Sequence, residues 1–302
     1  MPAPTTETPP RESSAPRGLA AAIAELVSCG SIEMTADRLD DARDLAAALP
    51  TGTKVYVNHL PRHTVSTAHA ALEALHVAGL EPVPHVAARR VGSREELKAL
   101  LEDAVKRAGV QKVLLIGGDD PVPVGPYADS VAVLRDGVLA ECGVREVGLA
   151  GYPEGHPRIP KAAIERATAE KLRLAAEQGL GAYIVTQFSF APARVIEFAS
   201  DLAARHPEVP LYVGVAGPTA PATLLKFAQR CGVSASLRAL KDQGMNLVRL
   251  VTHTDPADQV AAVARYCLAR STCNVVGTHF FSFGGAMQTA AWMNRAISGG
   301  AA

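Results

Sequence analysis

From Gly18 onward the chain repeats one pattern, a short apolar run followed by a longer amphipathic segment. The runs read GSIEM at 30–34, KVYVN at 54–58, PVPHVA at 82–87 and KVLLIG at 112–117. They continue as EVGLA at 146–150, AYIVTQ at 182–187, LYVGV at 211–215 and NVVGTHFF at 274–281. Each is short and rich in β-branched residues, with Gly, Pro or charge at its ends, which predicts eight buried strands. Strands apolar on both faces belong to a parallel sheet covered by helices. Helical spacing occupies the intervals at 63–77, 93–108, 161–177, 191–205, 220–231 and 256–270. The segment at 93–108 opens with Ser93 as N-cap and Glu96 three residues on, a capping box. The stretch 232–251 is longer than one strand-to-helix connection needs and predicts an extra helix.

Eight such units in a chain of 302 residues match the size of a closed α/β barrel of the (β/α)8, or TIM, type. A doubly wound open sheet is the rival, but the first strand opens no G-x-G-x-x-G turn. The predicted organisation is a single barrel over 18–302 behind a disordered tail over 1–17. That tail, MPAPTTETPPRESSAPR, is Pro, Ser/Thr and charge, and nothing in it repays the entropy of ordering.

Composition narrows the function. Lys plus Arg and Asp plus Glu number 30 each, so the net charge is zero and the chain has no electrostatic footprint for nucleic acid or an anionic membrane. No apolar run approaches the roughly 18 uncharged residues of a membrane helix. Five scattered cysteines without a C-x-x-C predict reduced thiols and a cytoplasmic location.

In a barrel of this kind the active site lies at the C-terminal ends of the strands. The polar residues there are Glu33, Asn58, His85, Asp119 with Asp120, Tyr152 and Gln187, followed by the tail 280–285. Glu33 reads either as a general acid whose pKa is raised by burial in the barrel mouth or as an ion-paired strand end. The turn Gly117-Gly118-Asp119-Asp120 allows a ligand to approach the backbone, or is simply a tight turn with solvated acids. Gln187 offers a donor and an acceptor suited to a heterocycle's amide edge, or caps a strand beside core phenylalanines. Nine histidines include no H-x-H, H-E-x-x-H or Cys/His cluster, so no metal site is expected. No G-x-S-x-G elbow appears, and Lys54 and Lys112 begin strands, the wrong end of a barrel for a Schiff-base lysine.

As an ordered set these strand ends resemble the methylenetetrahydrofolate reductase family, from about Ser31 to Arg295. The order is Glu33 in the first strand, Pro84-His85 in the third and Gly118-Asp119 after the fourth. Tyr152-Pro153-Glu154-Gly155-His156-Pro157 follows the fifth, Thr186-Gln187-Phe188-Ser189-Phe190 ends the sixth, and Lys226-Phe227-Ala228 follows the seventh. The resemblance implies a flavin-binding (β/α)8 barrel in which FAD, reduced by NADH or NADPH, passes hydride to 5,10-methylenetetrahydrofolate, giving 5-methyltetrahydrofolate. By the family's pattern Glu33 is the general acid that opens the imidazolidine ring, and Asp119 stabilises the iminium and tunes the flavin. Gln187 hydrogen-bonds the pterin and Phe227 packs on folate or nicotinamide. Asn58, His85, Gly117, Gly118, Tyr152 and His156 fall at flavin-lining positions, and Lys171 and Arg173 stand nearest the family's ribityl and phosphate contacts. Here Gly117 replaces the family's common arginine, and the eighth strand ends FSFGG where relatives often have Leu-Asn-Arg.

The implied partners are therefore a folate and a nicotinamide, in methionine synthesis or in oxidation of methyl groups from demethylation. The alternatives are a tetrahydrofolate-binding barrel without redox activity and a metal-dependent lyase using Asp119, Asp120 and a strand-end histidine. A homo-oligomer through the outer helices is compatible with this fold, although no exposed apolar stripe marks an interface.

Overall fold

The computed structural model describes residues 18–58, 65–231, 233 and 255–299. The predicted tail over 1–17 lies outside them, as does the predicted extra helix within 232–251 apart from Val233. The eight apolar runs form eight parallel strands: β1 (Ser31–Thr35), β2 (Lys54–Asn58), β3 (Glu81–Ala87), β4 (Lys112–Ile116), β5 (Glu146–Gly151), β6 (Gly181–Thr186), β7 (Leu211–Ala216) and β8 (Val275–Phe281). Each pairs with the next, and β8 closes the ring on β1 through the Ser31/His279 and Ile32/Phe280 pairs. The fold is a TIM barrel.

Helices cover the outside: α1 (Leu19–Ser28), α2 (Leu39–Ala48), α3 (Val65–Val77), α4 (Arg94–Ala108), α5 (Ser130–Asp136), α6 (Val138–Glu141), α7 (Lys161–Glu177), α8 (Pro192–Arg205), α9 (Pro221–Arg230), α10 (Pro256–Leu268) and α11 (Ala286–Ile297). The predicted N-cap forms, with Ser93 Oγ accepting from the Glu96 N–H at 3.1 Å, while Glu96 Oε2 reaches one residue past the N-cap and accepts from the Gly92 N–H at 3.1 Å. Helix α4 ends on Gly109 in the left-handed region at φ 62°, a conformation only glycine adopts cheaply. The sequence pattern did not mark α2 or α11, nor α1, which packs on β8 between α10 and α11, nor α5 and α6, which Gly137 divides at φ 81°. No helix among the described residues is long and apolar enough to cross a membrane.

The strands alternate between two environments. Ile32, Met34, Val55, Val57 and Leu115 point outward into the main core under the helices. Tyr56, Val83, Leu114, Tyr183 and Val185 point inward and fill the barrel. Tyr56 Oη donates to Tyr183 Oη across the interior at 2.9 Å. Gly148 on β5 makes room for that ring, since a Cβ there would come within 2.7 Å of Tyr183. Above this layer the interior turns polar, and there the site begins.

Candidate active site

Period-two alternation in SIEMT puts Ser31 and Glu33 on the inner face of β1 and Ile32 and Met34 on the outer one. Glu33 is 8% exposed, in the barrel mouth. Its Oε1 lies 3.4 Å from His279 Nε2 on β8 and 3.8 Å from His85 Nε2 on β3. Burial raises the pKa of this carboxyl. The hydrogen bond from His279, the attraction of the His85 and His279 rings in their protonated forms and the hydrogen bond from Asn58 outweigh that effect and leave it lowered. The rise expected from burial alone is thus reversed by the surrounding donors, and Glu33 rests as a carboxylate.

His85 shows the opposite balance. Burial is its largest influence and, with Glu33 only partly opposing, takes its pKa down to about 4, so its ring is neutral at pH 7. Tyr56 lies edge-on to both rings, with centroids 6.0 Å from His85 and 4.6 Å from His279. His279 is completely buried, and its Nδ1 is 2.8 Å from Ser31 Oγ. The buried Oδ1 of Asn58 and Nε2 of His85 have no hydrogen-bond partner. Both lie at the inner end of the mouth, where a bound polar molecule would meet them.

On the other side of the mouth stands an aromatic wall. Phe188 meets Phe190, Phe281 and Phe283 at ring separations of 5.7, 5.5 and 5.2 Å, and Phe283 meets Phe227 of α9 at 4.7 Å. Phe283 adopts φ 50°, a strained value for a bulky residue, held by the turn that ends β8. A shallow cleft beside this wall is lined by Tyr152, Pro153, Gly155, Gln187 and Phe188 among others. Gln187 Oε1 accepts from the Phe188 N–H at 3.0 Å, so its side-chain NH2 is the group left to face a ligand.

Asp119 sits at the rim, its side chain 68% exposed and 3.3 Å from Arg158. Asp120 pairs with Arg90 at 2.6 Å. Arg89, which the sequence reading passed over, binds the carbonyls of Asp120, Pro121 and Ala128 and so ties down the loop carrying both acids. Gly117 accepts from the Arg89 N–H at 2.9 Å, and Gly118 turns at φ 91° against Ala87 and Arg89. A Cβ at Gly117 would meet open space, so no group fills the position where the family has arginine. Tyr152 is half-buried beside His156, ring centroids 5.1 Å apart. Among the described residues no group of three His, Cys, Asp or Glu side chains could hold a metal ion, and Asp119 and Asp120 point to different arginines.

Lys171 and Arg173 are not brought to this mouth together. Two positions apart on α7 they point about 200° apart around the helix. Lys171 is 7% exposed, on the face of α7 that packs against α5. Burial takes its pKa down to about 8, with Asp129, the N-cap of α5, opposing only in part. Arg173 faces outward and pairs with Glu177 at 2.6 Å. Asn58 and His85 therefore meet at Glu33 and Tyr152 meets His156, whereas Lys171 and Arg173 do not form a joint cation pair for the phosphates of a flavin dinucleotide.

Solved structures with a similar fold include a Clostridium thermocellum protein that binds two copies of 5-methyl-5,6,7,8-tetrahydrofolic acid. Its TM-score is 0.57 at 13% identity, over 89% of this chain and 95% of that one. A Yersinia pestis DHPS with a pterine–sulfa conjugate follows at a TM-score of 0.50 and 12% identity, over 90% and 93% of the two chains. The Saccharomyces cerevisiae protein Methylenetetrahydrofolate reductase 2 is 28% identical over 210 residues, 64% of this chain. The chain spans only 32% of that curated relative. The family model for methylenetetrahydrofolate reductase matches residues 30–243. Because that match runs from the strand carrying Glu33 past the helix carrying Phe227, over well more than half of the sequence, the chain belongs to the methylenetetrahydrofolate reductase family.

Proposed function

We propose that the protein interconverts 5,10-methylenetetrahydrofolate and 5-methyltetrahydrofolate, with a nicotinamide as hydride donor or acceptor. The observation that carries this reading is the buried Glu33 carboxylate, hydrogen-bonded by His279 and Asn58, at the strand ends that also carry the Gln187 amide and an aromatic wall. A pterin is a flat heterocycle with an amide edge. The Gln187 NH2 binds that edge, while the phenylalanines pack on the ring faces and keep water away.

For reduction, Glu33 delivers a proton to N10 as the bond from N10 to the one-carbon bridge breaks, its electron pair staying on nitrogen. The resulting iminium cation is favoured by the negative charge of Asp119 at the rim. Hydride from the nicotinamide C4 then adds to the iminium carbon and completes the methyl group. In the opposite direction Glu33, already a carboxylate, removes the proton from N10.

The test is anaerobic oxidation of NADH or NADPH by 5,10-methylenetetrahydrofolate, with the methylated product identified by mass spectrometry. Wild-type protein is expected to turn over, and Glu33→Gln to lose at least about 100-fold in rate while keeping its fold, the usual scale for removing a general acid. Binding of 5-methyltetrahydrofolate without nicotinamide oxidation would instead support a tetrahydrofolate-binding barrel that lacks the redox step.

A further inference from the structure

We propose that His279 is the positioning residue of Glu33, and that the two side chains together store the one proton that reduction consumes. The inference rests on the folate reading above. Reducing a methylene bridge with a nicotinamide takes up one proton for each hydride, and that proton must wait at a fixed atom beside N10. Glu33 alone is poorly suited, because its neighbours hold it as a carboxylate.

His279 supplies what is missing. It is the pairing partner of Ser31 in the strand closure, and Ser31 is two residues from Glu33 on the same face of β1. One register therefore fixes all three groups. Ser31 Oγ holds Nδ1 at 2.8 Å, which turns Nε2 toward Glu33 Oε1 at 3.4 Å. The edge of Tyr56 and the ring of Phe281, 4.8 Å away at 90°, block rotation of the imidazole. His279 is fully buried, so the stored proton does not exchange freely with solvent. A 3.4 Å contact is long for a working hydrogen bond, as is common before substrate closes a site.

The proton count balances. In this proposal the pair shares one proton between His279 Nε2 and Glu33 Oε1, while the hydrogen bond between Nδ1 and Ser31 Oγ holds the ring. When folate displaces water, the proton passes from Nε2 to Glu33 Oε1, leaving a neutral imidazole and a neutral carboxyl. Glu33 then gives it to N10, and a proton from water recharges the pair after product leaves. The groups facing this pair are Ser31, Tyr56, Asn58 and His85, and none of them carries a charge at pH 7.

Carboxyl-band infrared difference spectra across pH, assigned with Glu33→Gln, read the proton on Glu33 directly. In wild type Glu33 should titrate below the usual glutamate range. In His279→Gln its midpoint should rise by at least about one pH unit, through loss of a hydrogen bond and a neighbouring charge. Ser31→Ala, a smaller change that leaves the imidazole in place, should move the midpoint the same way by less. In turnover, His279→Gln should lose tenfold or more in kcat while its folate KM stays within twofold.

An unmoved midpoint in both variants would overturn the shared proton, whatever the catalytic result. A moved midpoint in a protein that turns over no folate would leave the coupling standing and overturn the folate reading. A moved midpoint with unchanged kcat in His279→Gln would remove His279 from the reaction.

Discussion

Glu33 shows how far a single residue can be read. A carboxylate inside SIEMT, alternating with Ile32 and Met34, has to face either the barrel interior or the core beneath the helices, and the interior is what the structure shows. The protonation of that carboxylate was not legible, because it depends on His279 and His85, which lie 246 and 52 positions away in the chain. Only strand register brings them together, and register is a property of the closed sheet. The one available signal was a histidine inside the otherwise apolar NVVGTHFF. Gln187 is simpler. Its carbonyl is committed to the Phe188 N–H, so the NH2 is the part that discriminates a ligand. Gln187→Ala is expected to raise the folate KM by about tenfold, the scale of one lost hydrogen bond to a buried partner, and to change kcat much less. Steady-state kinetics over a range of folate concentrations checks this, and an equal fall in kcat would give Gln187 a role in the chemical step.

At the scale of elements, all eight strands and most of the outer helices were legible, because a parallel barrel demands short apolar runs and long amphipathic returns. Helix α7 runs over Lys161–Glu177, the span its spacing predicts. Helix α1, LAAAIAELVS, was missed because its N-cap is Gly18 and it makes no side-chain cap, so no start signal precedes an alanine-rich run. The face a helical residue occupies was harder to judge than the helix itself. Lys171 reads as an exposed cation by type, yet it is enclosed between α7 and α5. With its folded pKa near 8 against an ordinary 10.5, it binds fewer protons folded than unfolded between those values. Stability therefore rises with pH from 8 to 10.5, and at pH 7 the charged form carries the whole penalty. Lys171→Met keeps the packed stem and removes the charge. It is expected to stabilise the protein by on the order of 2 kcal/mol, a rise in Tm of roughly 3 °C for a chain of this size. Thermal unfolding measures this. Retention of FAD through desalting, compared in the same two proteins, separates the readings: a phosphate clamp would lose flavin with Lys171, whereas a helix-packing lysine leaves retention unchanged.

The whole molecule places a polar cluster in the mouth of a closed barrel, and the acid response of the fold follows from that placement. His85 has a folded pKa of about 4 against an ordinary 6.5. Between those values the unfolded chain takes up a proton that the folded barrel refuses, so stability falls as pH drops from 6.5 to 4. The two limits correspond to about 3 kcal/mol at most. Glu33 acts in the same direction but lower. Its depressed pKa contributes stability that is complete above the ordinary glutamate value of 4.5 and is lost as pH falls through the folded value. The two windows adjoin, so the loss should begin near pH 6.5 and steepen below 4.5. Thermal unfolding in buffers from pH 8 to pH 4 should give a Tm that is flat at first and then declines. His85→Asn, which does not titrate, should flatten the upper part of that decline and leave the lower part in place. If the variant retains the full slope between pH 6.5 and 4, the acid sensitivity comes from carboxylates at the surface and not from the cluster that closes the barrel. In that case the neutral His85 ring beside Glu33, on which the electrostatics of the mouth depend, would have to be abandoned.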